Sequence, residues 1–252
     1  MQKNSLFISG FVIFFALSCL AGCGPRTERE AEEAEELHNV LTEEEIAEGW
    51  ELLFDGRTTR GWRGFQKDDL TIDEGWYAHQ GMLVAQGIGC DLTGDIVTRR
   101  EFENFILEAD WRISEGGNSG IFYLVGENGY PAAYATGPEY QILDDLGYPV
   151  ELDPTWYTAA NYDMHSPVDP PVKPAGEWNT SRIVVDNGHV EHWLNGEKVV
   201  EYELWTDEWE ELVEDSKWAE YPNYGRYRRG HIGLQDHGDQ VWFRNIRIRE
   251  LD

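Results

Sequence analysis

The sequence predicts an all-β protein, an antiparallel β-sandwich with a short helical insertion. Three observations support this prediction. Apolar and polar residues alternate in many short segments after Glu51, turn residues separate those segments, and one later segment has a helical stripe instead. Strict alternation gives each segment one buried face, and many short strands joined by turns are typical of a sandwich. A chain of 252 residues, 41% of them hydrophobic, can form one such domain.

Residues 105–113 alternate most clearly. The apolar positions share one face, which we predict to be buried: Phe105, Leu107, Ala109, Trp111 and Ile113. The opposite face carries Glu108, Asp110 and Arg112. Turn residues at 116–119 lead to a second predicted strand, over 120–125. Further strands are predicted over 139–143, 181–185, 189–194, 197–202, 230–235 and 240–248, with tight turns at Asn187-Gly188 and Asn195-Gly196.

Two segments have helical signals and one has none. Thr42 with Glu45 forms a capping-box pattern, which predicts a helix over 43–48. Residues 205–218 place Trp205, Trp209 and Leu212 with Val213 on one stripe, which predicts the helical insertion. The proline-rich residues 144–178 have no regular pattern, and a loop of this length inside a compact domain is often functional.

The N-terminus has the features of an export signal. A short apolar stretch follows Lys3, and residues 20–23 (LAGC) resemble the bacterial lipobox, in which the cysteine becomes the lipidated first residue. The resemblance implies a signal peptide over 1–22 and lipidation at Cys23. The protein is then expected in the bacterial cell envelope, at the periplasm or cell surface, with the lipid anchor as its only membrane contact. An ordinary secretory peptide or an uncleaved anchor is the alternative.

Charge divides the remaining chain. Residues 26–49 contain ten Glu and two Arg, which predicts an acidic tether over 23–49 before a sandwich domain at 50–252. The net charge of the whole chain is −28, so a nucleic-acid partner is excluded by repulsion from phosphate. Neither a metal-binding spacing nor a Gly-x-Ser-x-Gly nucleophile motif occurs in the sequence.

Three polar clusters are candidates for a site. They are Glu108, Asp110 and Arg112 with Asn118; Glu139 and Gln141 with Asp144; and Gln235 with His237. Carboxylates and amides can bind sugar hydroxyls if these strand faces line up in a groove. Each cluster also has a structural interpretation, as a solvated sheet face with ion pairs or as a turn.

Eight segments, in order along the chain, resemble the bacterial 3-keto-disaccharide hydrolase domain family. They are residues 53–62 (LFDGRTTRGW), 105–113 (FILEADWRI), 117–123 (GNSGIFY), 139–144 (EYQILD), 173–180 (KPAGEWNT), 192–196 (HWLNG), 216–218 (SKW) and 230–239 (GHIGLQDHGD). Trp218 departs conservatively from the Phe that is usual there. The resemblance implies a jelly roll of the concanavalin A-like lectin/glucanase type, with a carbohydrate site on its concave sheet and an oxidised (3-keto) glycoside as substrate.

The implied substrate suggests a chemistry. A ketone at C3 acidifies the hydrogen on C2, and its removal forms an enolate that can expel the group at C1 before water adds. Such a site needs a base, an acid and a positive group or metal. Glu139 is the first catalytic candidate, with Asp144 and His165 as further ones. The substrate-binding candidates are Asp110, Arg112, Asn118, Gln141, Lys217, Gln235 and His237, of which Arg112 or Lys217 would stabilise the enolate.

The cofactor is left open, with a divalent metal as one option. Direct hydrolysis by two carboxylates is the alternative chemistry. A non-catalytic carbohydrate-binding lipoprotein is the alternative function, because lectins and enzymes share this fold.

Overall fold

Two antiparallel sheets form the body in a computed structural model that describes residues 38–67, 69–88, 94–127 and 132–252. The larger sheet contains β1 (Trp50–Leu52), β3 (Trp76–His79), β4 (Met82–Ala85), β6 (Phe105–Ile113), β9 (Asn179–Asp186), β10 (His189–Leu194), β11 (Glu197–Glu203) and β13 (Val241–Glu250). The smaller sheet contains β2 (Trp62–Gly64), β5 (Ile96–Phe102), β7 (Asn118–Val125), β8 (Glu139–Leu143) and β12 (Gly230–Leu234).

Strand order defines the topology. The eight-stranded sheet has the order β11-β10-β9-β6-β13-β4-β3, with β1 paired to β13, and the five-stranded sheet has the order β2-β5-β12-β7-β8. Apolar residues from both sheets form one core. The predicted fold class, an antiparallel β-sandwich with a short helical insertion, is therefore confirmed.

Strand β6 illustrates how the sequence builds the core. All five of its predicted inward residues are at most 2% exposed. They belong to the same core cluster as Ile121, Tyr123 and Tyr140 of the smaller sheet. Burying one large apolar side chain stabilises a fold by about 1.5–3 kcal/mol, so this alternation is a main source of stability.

The turn between β6 and β7 crosses from one sheet to the other. Strand β6 pairs with β9 and β13, whereas β7 pairs with β8 and β12. Gly116 in this turn has φ +65°, a conformation that favours glycine. Asn118 therefore lies on the smaller sheet and does not continue the polar face of β6, so the first predicted cluster is divided between the two sheets.

The strands β9, β10 and β11 form the two predicted hairpins. Their turns, Asn187-Gly188 and Asn195-Gly196, have positive φ at both residues (51° and 98°, 49° and 89°). This is the backbone of type I′ turns, which match the twist of paired strands.

The predicted N-terminal helix is confirmed as α1 (Glu43–Ala47), with both hydrogen bonds of the capping box between Thr42 and Glu45. The segment before it lies against the body. Asn39 and Asn245 exchange backbone-to-side-chain hydrogen bonds of 2.6 and 2.9 Å. Part of the predicted tether, residues 38–49, thus packs on the body directly before the predicted start of the sandwich domain at residue 50.

The insertion contains α2 (Asp207–Glu214), which Thr206 caps, followed by a 3-10 turn (Lys217–Glu220) capped by Ser216. The long loop after β8 contains a second 3-10 turn (Pro154–Trp156). Ala159 and Ala160 of this loop exchange backbone hydrogen bonds with Gln141, so the loop covers the free edge of β8.

Residues 1–37 lie outside the described residues, and with them the predicted signal peptide, Cys23 and most of the predicted tether. Cys90 also lies outside the described residues. No helix in the described part of the chain is long and apolar enough to cross a membrane.

Candidate functional site

A cavity of about 340 Å³ lies on the outer face of the five-stranded sheet. Strands β7 and β8 and the end of β12 provide its floor, while the loop after β8, the turn before β8 and the insertion provide its wall. Its lining residues are Asn118, Tyr134, Glu139, Gln141, Tyr162, Lys217, Trp218, Glu220, Tyr221, Gln235 and His237. Its polar floor can bind hydroxyl groups, and its aromatic wall can pack against the CH faces of a sugar ring.

Glu139 is buried in the floor, with 4% of its surface exposed. Its neighbours on β8, Tyr140 and Ile142, point into the core, so alternation turns Glu139 and Gln141 outward. The carboxyl group occupies space left by Gly120, where a Cβ atom would lie 2.1 Å from Glu139 Oε1. A glycine on β7 therefore creates the position of the carboxyl group.

Burial raises the pKa of Glu139 well above its usual range. The negative charge of Asp95 raises this pKa further, while the positive charge of Lys217 and a hydrogen bond with Gln235 act in the opposite direction. Since the raising effects win, Glu139 keeps its proton to a higher pH than an ordinary carboxyl group. It can then donate that proton to a bound ligand.

Several polar atoms around the cavity have no partner among the described residues. They are Oδ1 of Asn118, Oε1 of Gln235 and Nε1 of Trp218. A buried polar atom without a hydrogen bond costs free energy, and a bound ligand can supply the missing bond. The backbone around them is fixed, since Asn118 N donates to Asp239 Oδ2 at 3.0 Å and Gln235 N donates to Gly120 O at 3.0 Å.

The side-chain amide of Gln141 is more constrained than those of Asn118 and Gln235. Its Oε1 accepts the backbone N–H of Ile142 at 3.0 Å, which fixes the side chain against its own strand. The amide nitrogen is its remaining donor group. Gln141 thus offers a fixed donor on the floor, where it supports the orientation of a ligand.

The wall consists of four aromatic residues, Tyr134, Tyr162, Trp218 and Tyr221. The Trp218 ring is parallel to the ring of buried Tyr224, with centroids 4.4 Å apart and an interplanar angle of 1°. Partial burial raises the pKa of Tyr162 to about 12, so its phenol remains a neutral hydrogen-bond donor near neutral pH. The stacking of Trp218 on buried Tyr224 therefore fixes the wall to the hydrophobic core.

Lys217 provides the cation nearest to this wall. Its Nζ atom lies 3.3 Å from Asp163 Oδ2, 4.2 Å from the ring centroid of Tyr162 and 4.6 Å from that of Trp218. Two rings and one carboxylate thus hold a half-exposed ammonium group at the cavity. Lys217 is the first residue of the 3-10 turn that Ser216 caps, and this turn places its side chain at the cavity.

His237 lies at the exposed rim of the cavity. Its Nδ1 atom is 3.9 Å from Asp239 Oδ2, and the same oxygen accepts the N–H of Asn118. The predicted candidates Asn118, Glu139, Gln141, Lys217, Gln235 and His237 are therefore brought together.

Two predicted catalytic residues do not line the cavity. Asp144 accepts the backbone N–H of Gly116 at 2.8 Å, so it fixes the turn between the sheets. His165 stacks on Tyr202, with centroids 4.6 Å apart, and burial lowers its pKa to about 4. These contacts explain both residues as structural groups.

Asp110 and Arg112, which the sequence offers as substrate-binding candidates, lie on the outer face of the other sheet and do not line the cavity. Asp110 accepts hydrogen bonds from Thr180 at 2.7 Å and Asn245 at 2.8 Å. The Arg112 guanidinium lies 4.4 Å from the ring centroid of Trp242. The cause is the crossing turn after β6, which alternation alone does not reveal.

Within the described residues, one group of His and acidic side chains has three donor atoms within 4.8 Å of one another, formed by His189, Glu191 and Glu201. It lies on β10 and β11 of the larger sheet. Lys198 Nζ already contacts Glu191 at 3.1 Å and Glu201 at 2.6 Å. Near the cavity, the positive charge is instead the ammonium group of Lys217.

Sequence analysis missed five lining residues, namely Tyr134, Tyr162, Trp218, Glu220 and Tyr221, and it did not reveal the space that Gly120 leaves for Glu139. Tyr134, Glu220 and Tyr221 belong to 3-10 turns or follow them directly, where no periodic pattern exists. The only available signal was the density of aromatic residues around the insertion.

Comparison with known proteins identifies relatives that match the whole sandwich domain. Residues 49–249 match the 3-keto-alpha-glucoside-1,2-lyase-like domain. A 3-keto-disaccharide hydrolase from Bacteroides thetaiotaomicron is 39% identical over 233 residues, which cover 82% of this chain and 80% of the relative.

Solved structures agree with this match. A candidate glycosyl hydrolase from Parabacteroides distasonis is 40% identical, with a TM-score of 0.80 over 86% of this chain and all of its own (100%). Another from the same organism is 27% identical, with a TM-score of 0.60, and the match covers 80% of this chain and 99% of that one. The chain therefore belongs to the 3-keto-alpha-glucoside-1,2-lyase-like domain family, and it is a glycoside-active enzyme.

Proposed function

We propose that the protein cleaves 3-keto-glycosides by elimination and then hydrates the unsaturated product. One observation carries this proposal: the buried carboxyl group of Glu139 lies in a cavity of about 340 Å³ beside amides, aromatic rings and a lysine. The cavity lies within the size range of small-molecule sites. The name of the Bacteroides relative, a 3-keto-disaccharide hydrolase, supports the oxidised substrate.

Glu139 is proposed as the general acid. Its raised pKa lets the carboxyl group keep its proton to a higher pH than an ordinary carboxyl group, so it can protonate the departing glycosidic oxygen. A general acid needs a proton to donate, and the burial of Glu139 helps its carboxyl group to keep one.

His237 is proposed as the base that removes the proton from C2. Its imidazole lines the cavity, and its Nδ1 atom lies 3.9 Å from the Asp239 carboxylate. Lys217 is proposed to stabilise the negative charge that develops on the C3 oxygen.

The steps balance as follows. His237 takes the C2 proton, the released electron pair forms the enolate and then the C1–C2 double bond, and the C1–O bond breaks as Glu139 protonates the leaving oxygen. Water then adds to C1 while C2 regains a proton. The net reaction adds one water molecule across the glycosidic bond and leaves the ketone in place.

Substrate recognition is assigned to the unpartnered polar atoms. Asn118 Oδ1 and Gln235 Oε1 can accept hydrogen bonds from sugar hydroxyls, and Trp218 Nε1 can donate one. The rings of the wall would cover the apolar face of the sugar or of the leaving group.

The test is turnover of 3-keto-trehalose and of a 3-keto-glucoside by the Glu139→Gln variant. Removing a general acid costs about 10²–10⁴-fold in rate, so kcat should fall by that factor. Glu108→Gln is the matched control, because Glu108 is also a buried carboxylate but lies on the other sheet. Unchanged turnover by Glu139→Gln would remove its proposed role, and substrate binding without turnover in the wild-type protein would identify a lectin.

A second measurement separates elimination from direct hydrolysis by two carboxylates. In D₂O, elimination and hydration place solvent deuterium on C2 of the product, whereas direct hydrolysis leaves the original hydrogen there. The control incubates the unlabelled product with the enzyme under the same conditions. Absence of C2 deuterium during turnover contradicts the elimination route.

We also propose that the enzyme is a lipoprotein of the cell envelope. The motif LAGC at residues 20–23 supports lipidation of Cys23 after removal of residues 1–22. The Cys23→Ala variant should lose the lipid, as measured by mass spectrometry, and leave the membrane fraction. Retention of an unlipidated wild-type protein in the soluble fraction would contradict the anchor.

A further inference from the structure

Asp95 connects two segments that supply cavity residues, although it does not line the cavity itself. Its Oδ1 atom accepts the backbone N–H of Asp236 at 3.1 Å, and its carboxylate also accepts the backbone N–H of Ala133. Asp236 lies between the cavity residues Gln235 and His237. Ala133 begins the 3-10 turn that carries the cavity residue Tyr134.

The position of Asp95 in the fold allows this connection. Asp95 directly precedes β5, a neighbour of β12, so its short side chain reaches the end of β12 without crossing the floor. Its own backbone is fixed, since Asp95 O accepts the N–H of Phe65 at 2.8 Å and the preceding Gly94 O accepts Nε1 of Trp76 at 2.9 Å.

We propose that Asp95 is a positioning residue of the enzyme, which fixes the segments of Gln235, His237 and Tyr134 and acts by its charge on Glu139. The proposal deepens the function proposed above and rests on it. Asp95 does not line the cavity, so its effect must pass through these residues.

Electrostatics gives Asp95 a second role beyond holding the backbone. The titratable groups facing it are Asp236, Tyr134 and Glu139, and its charge raises the pKa of Tyr134 and of Glu139. Burial raises the pKa of Asp95 itself to about 6, with the charge of Asp236 adding to this shift. Asp95 is therefore mainly ionised above about pH 6, where its charge helps Glu139 to keep its proton.

The test substitutes Asp95→Asn, which retains volume and a carbonyl acceptor but removes the charge. The titration of Glu139 is followed by ¹³C NMR of the side-chain carboxyl group, assigned with Glu139→Gln. We expect the midpoint of Glu139 to move to lower pH in Asp95→Asn. The falling alkaline limb of kcat should move in the same direction, because Glu139 then loses its proton earlier, and kcat/KM should fall about tenfold from poorer positioning.

The matched control is Asp145→Asn. Asp145 is also largely buried with a raised pKa, and it holds a loop through Thr158, with hydrogen bonds of 2.9 Å to both the backbone N–H and the hydroxyl group. It neighbours Asp144 rather than Glu139. Its substitution should lower stability and leave the titration of Glu139 unchanged.

An unchanged Glu139 midpoint in a folded Asp95→Asn variant would overturn the proposal. If that variant does not fold, the wild-type protein provides the test, because the Glu139 carbon signal should show a second inflection near pH 6 as Asp95 ionises. Absence of that inflection would also overturn it. Both titrations need no substrate, so their failure differs from a failure of the proposed reaction, which the turnover of Glu139→Gln reports.

Discussion

Two buried carboxylates, Glu108 on the eight-stranded sheet and Glu139 on the five-stranded sheet, have opposite surroundings. Oε1 of Glu108 lies 2.5 Å from Arg182, and Oε2 lies 2.6 Å from Arg247. Glu139 has instead a hydrogen bond with Gln235 and the more distant charge of Lys217. The charge of Glu108 is compensated by two arginines, whereas burial raises the pKa of Glu139, so this carboxyl group keeps a transferable proton to higher pH.

The same contrast extends to the neighbouring polar groups. On the larger sheet, Asp110 accepts hydrogen bonds from Thr180 and Asn245, and Arg182 and Arg247 already bind Glu108. At the cavity, Asn118 Oδ1 and Gln235 Oε1 have no partner in the described part of the chain. The difference is that the carboxylates of the larger sheet have side-chain partners, whereas amide oxygens at the cavity are left for a ligand to bind.

After the loss of turnover expected for Glu139→Gln, the largest effect is expected from Lys217→Met. If the Lys217 ammonium stabilises the enolate, its loss should lower kcat/KM by about 10²–10³-fold. Stability should hardly change, because the half-exposed pair with Asp163 contributes little. Turnover and thermal unfolding of the variant provide the measurement.

Lys198→Met is the matched control for this prediction. Lys198 also contacts carboxylates, but on β11 of the larger sheet. Its loss should leave turnover unaltered. A Lys217→Met enzyme with activity within twofold of wild type would show that another group carries the enolate charge.

An intermediate effect is expected from Glu108→Gln, and it concerns stability. Two arginines lose their charged partner, which should lower the free energy of unfolding by about 1–3 kcal/mol. Urea denaturation at neutral pH measures this change. Turnover should stay at the wild-type level, and a loss of activity without loss of stability would assign Glu108 to the reaction.

Glu139→Gln should change the pH dependence of stability, whereas Glu108→Gln should lower stability at neutral pH. Folding raises the pKa of Glu139 above its unfolded value of about 4.3, so the folded state binds this proton more tightly. The wild-type protein therefore loses stability from this group as pH rises above about 4.3, and the variant does not. Urea denaturation from pH 5 to 9 should show a flatter pH dependence for the variant, and parallel curves would contradict the raised pKa.

Local pattern was sufficient to predict strands β6 to β13 and the two helices, but it did not identify the five strands β1 to β5. Alternation identified the buried face of β6, and Asn187-Gly188 and Asn195-Gly196 identified two hairpins. Each of these signals depends on neighbours in sequence, because strand period and turn conformation are local properties.

The assignment of a polar face to one sheet or the other could not be predicted in this way. Strands in both sheets have the same period, so the crossing turn at Gly116 leaves no mark in the alternation. The space that Gly120 leaves for Glu139 depends on pairing between β7 and β8. The aromatic wall comes from irregular segments, whose position follows from packing on the core.

The smallest effect is expected from Arg112→Lys, which tests the comparison at the residue where sequence and structure disagree most. The Arg112 guanidinium lies between Trp242 and Trp178, at 4.4 and 5.1 Å from the ring centroids. Lysine keeps the charge but loses the planar contact, so the variant should lose about 0.5–1 kcal/mol of stability. Turnover of the 3-keto-glucoside should remain unchanged, because Arg112 lies on the sheet opposite the cavity. A fall in kcat with unaltered stability would mean that the outer face of the larger sheet takes part in the reaction, and the distinction between a paired face and an unpaired face would then fail as a guide to the site.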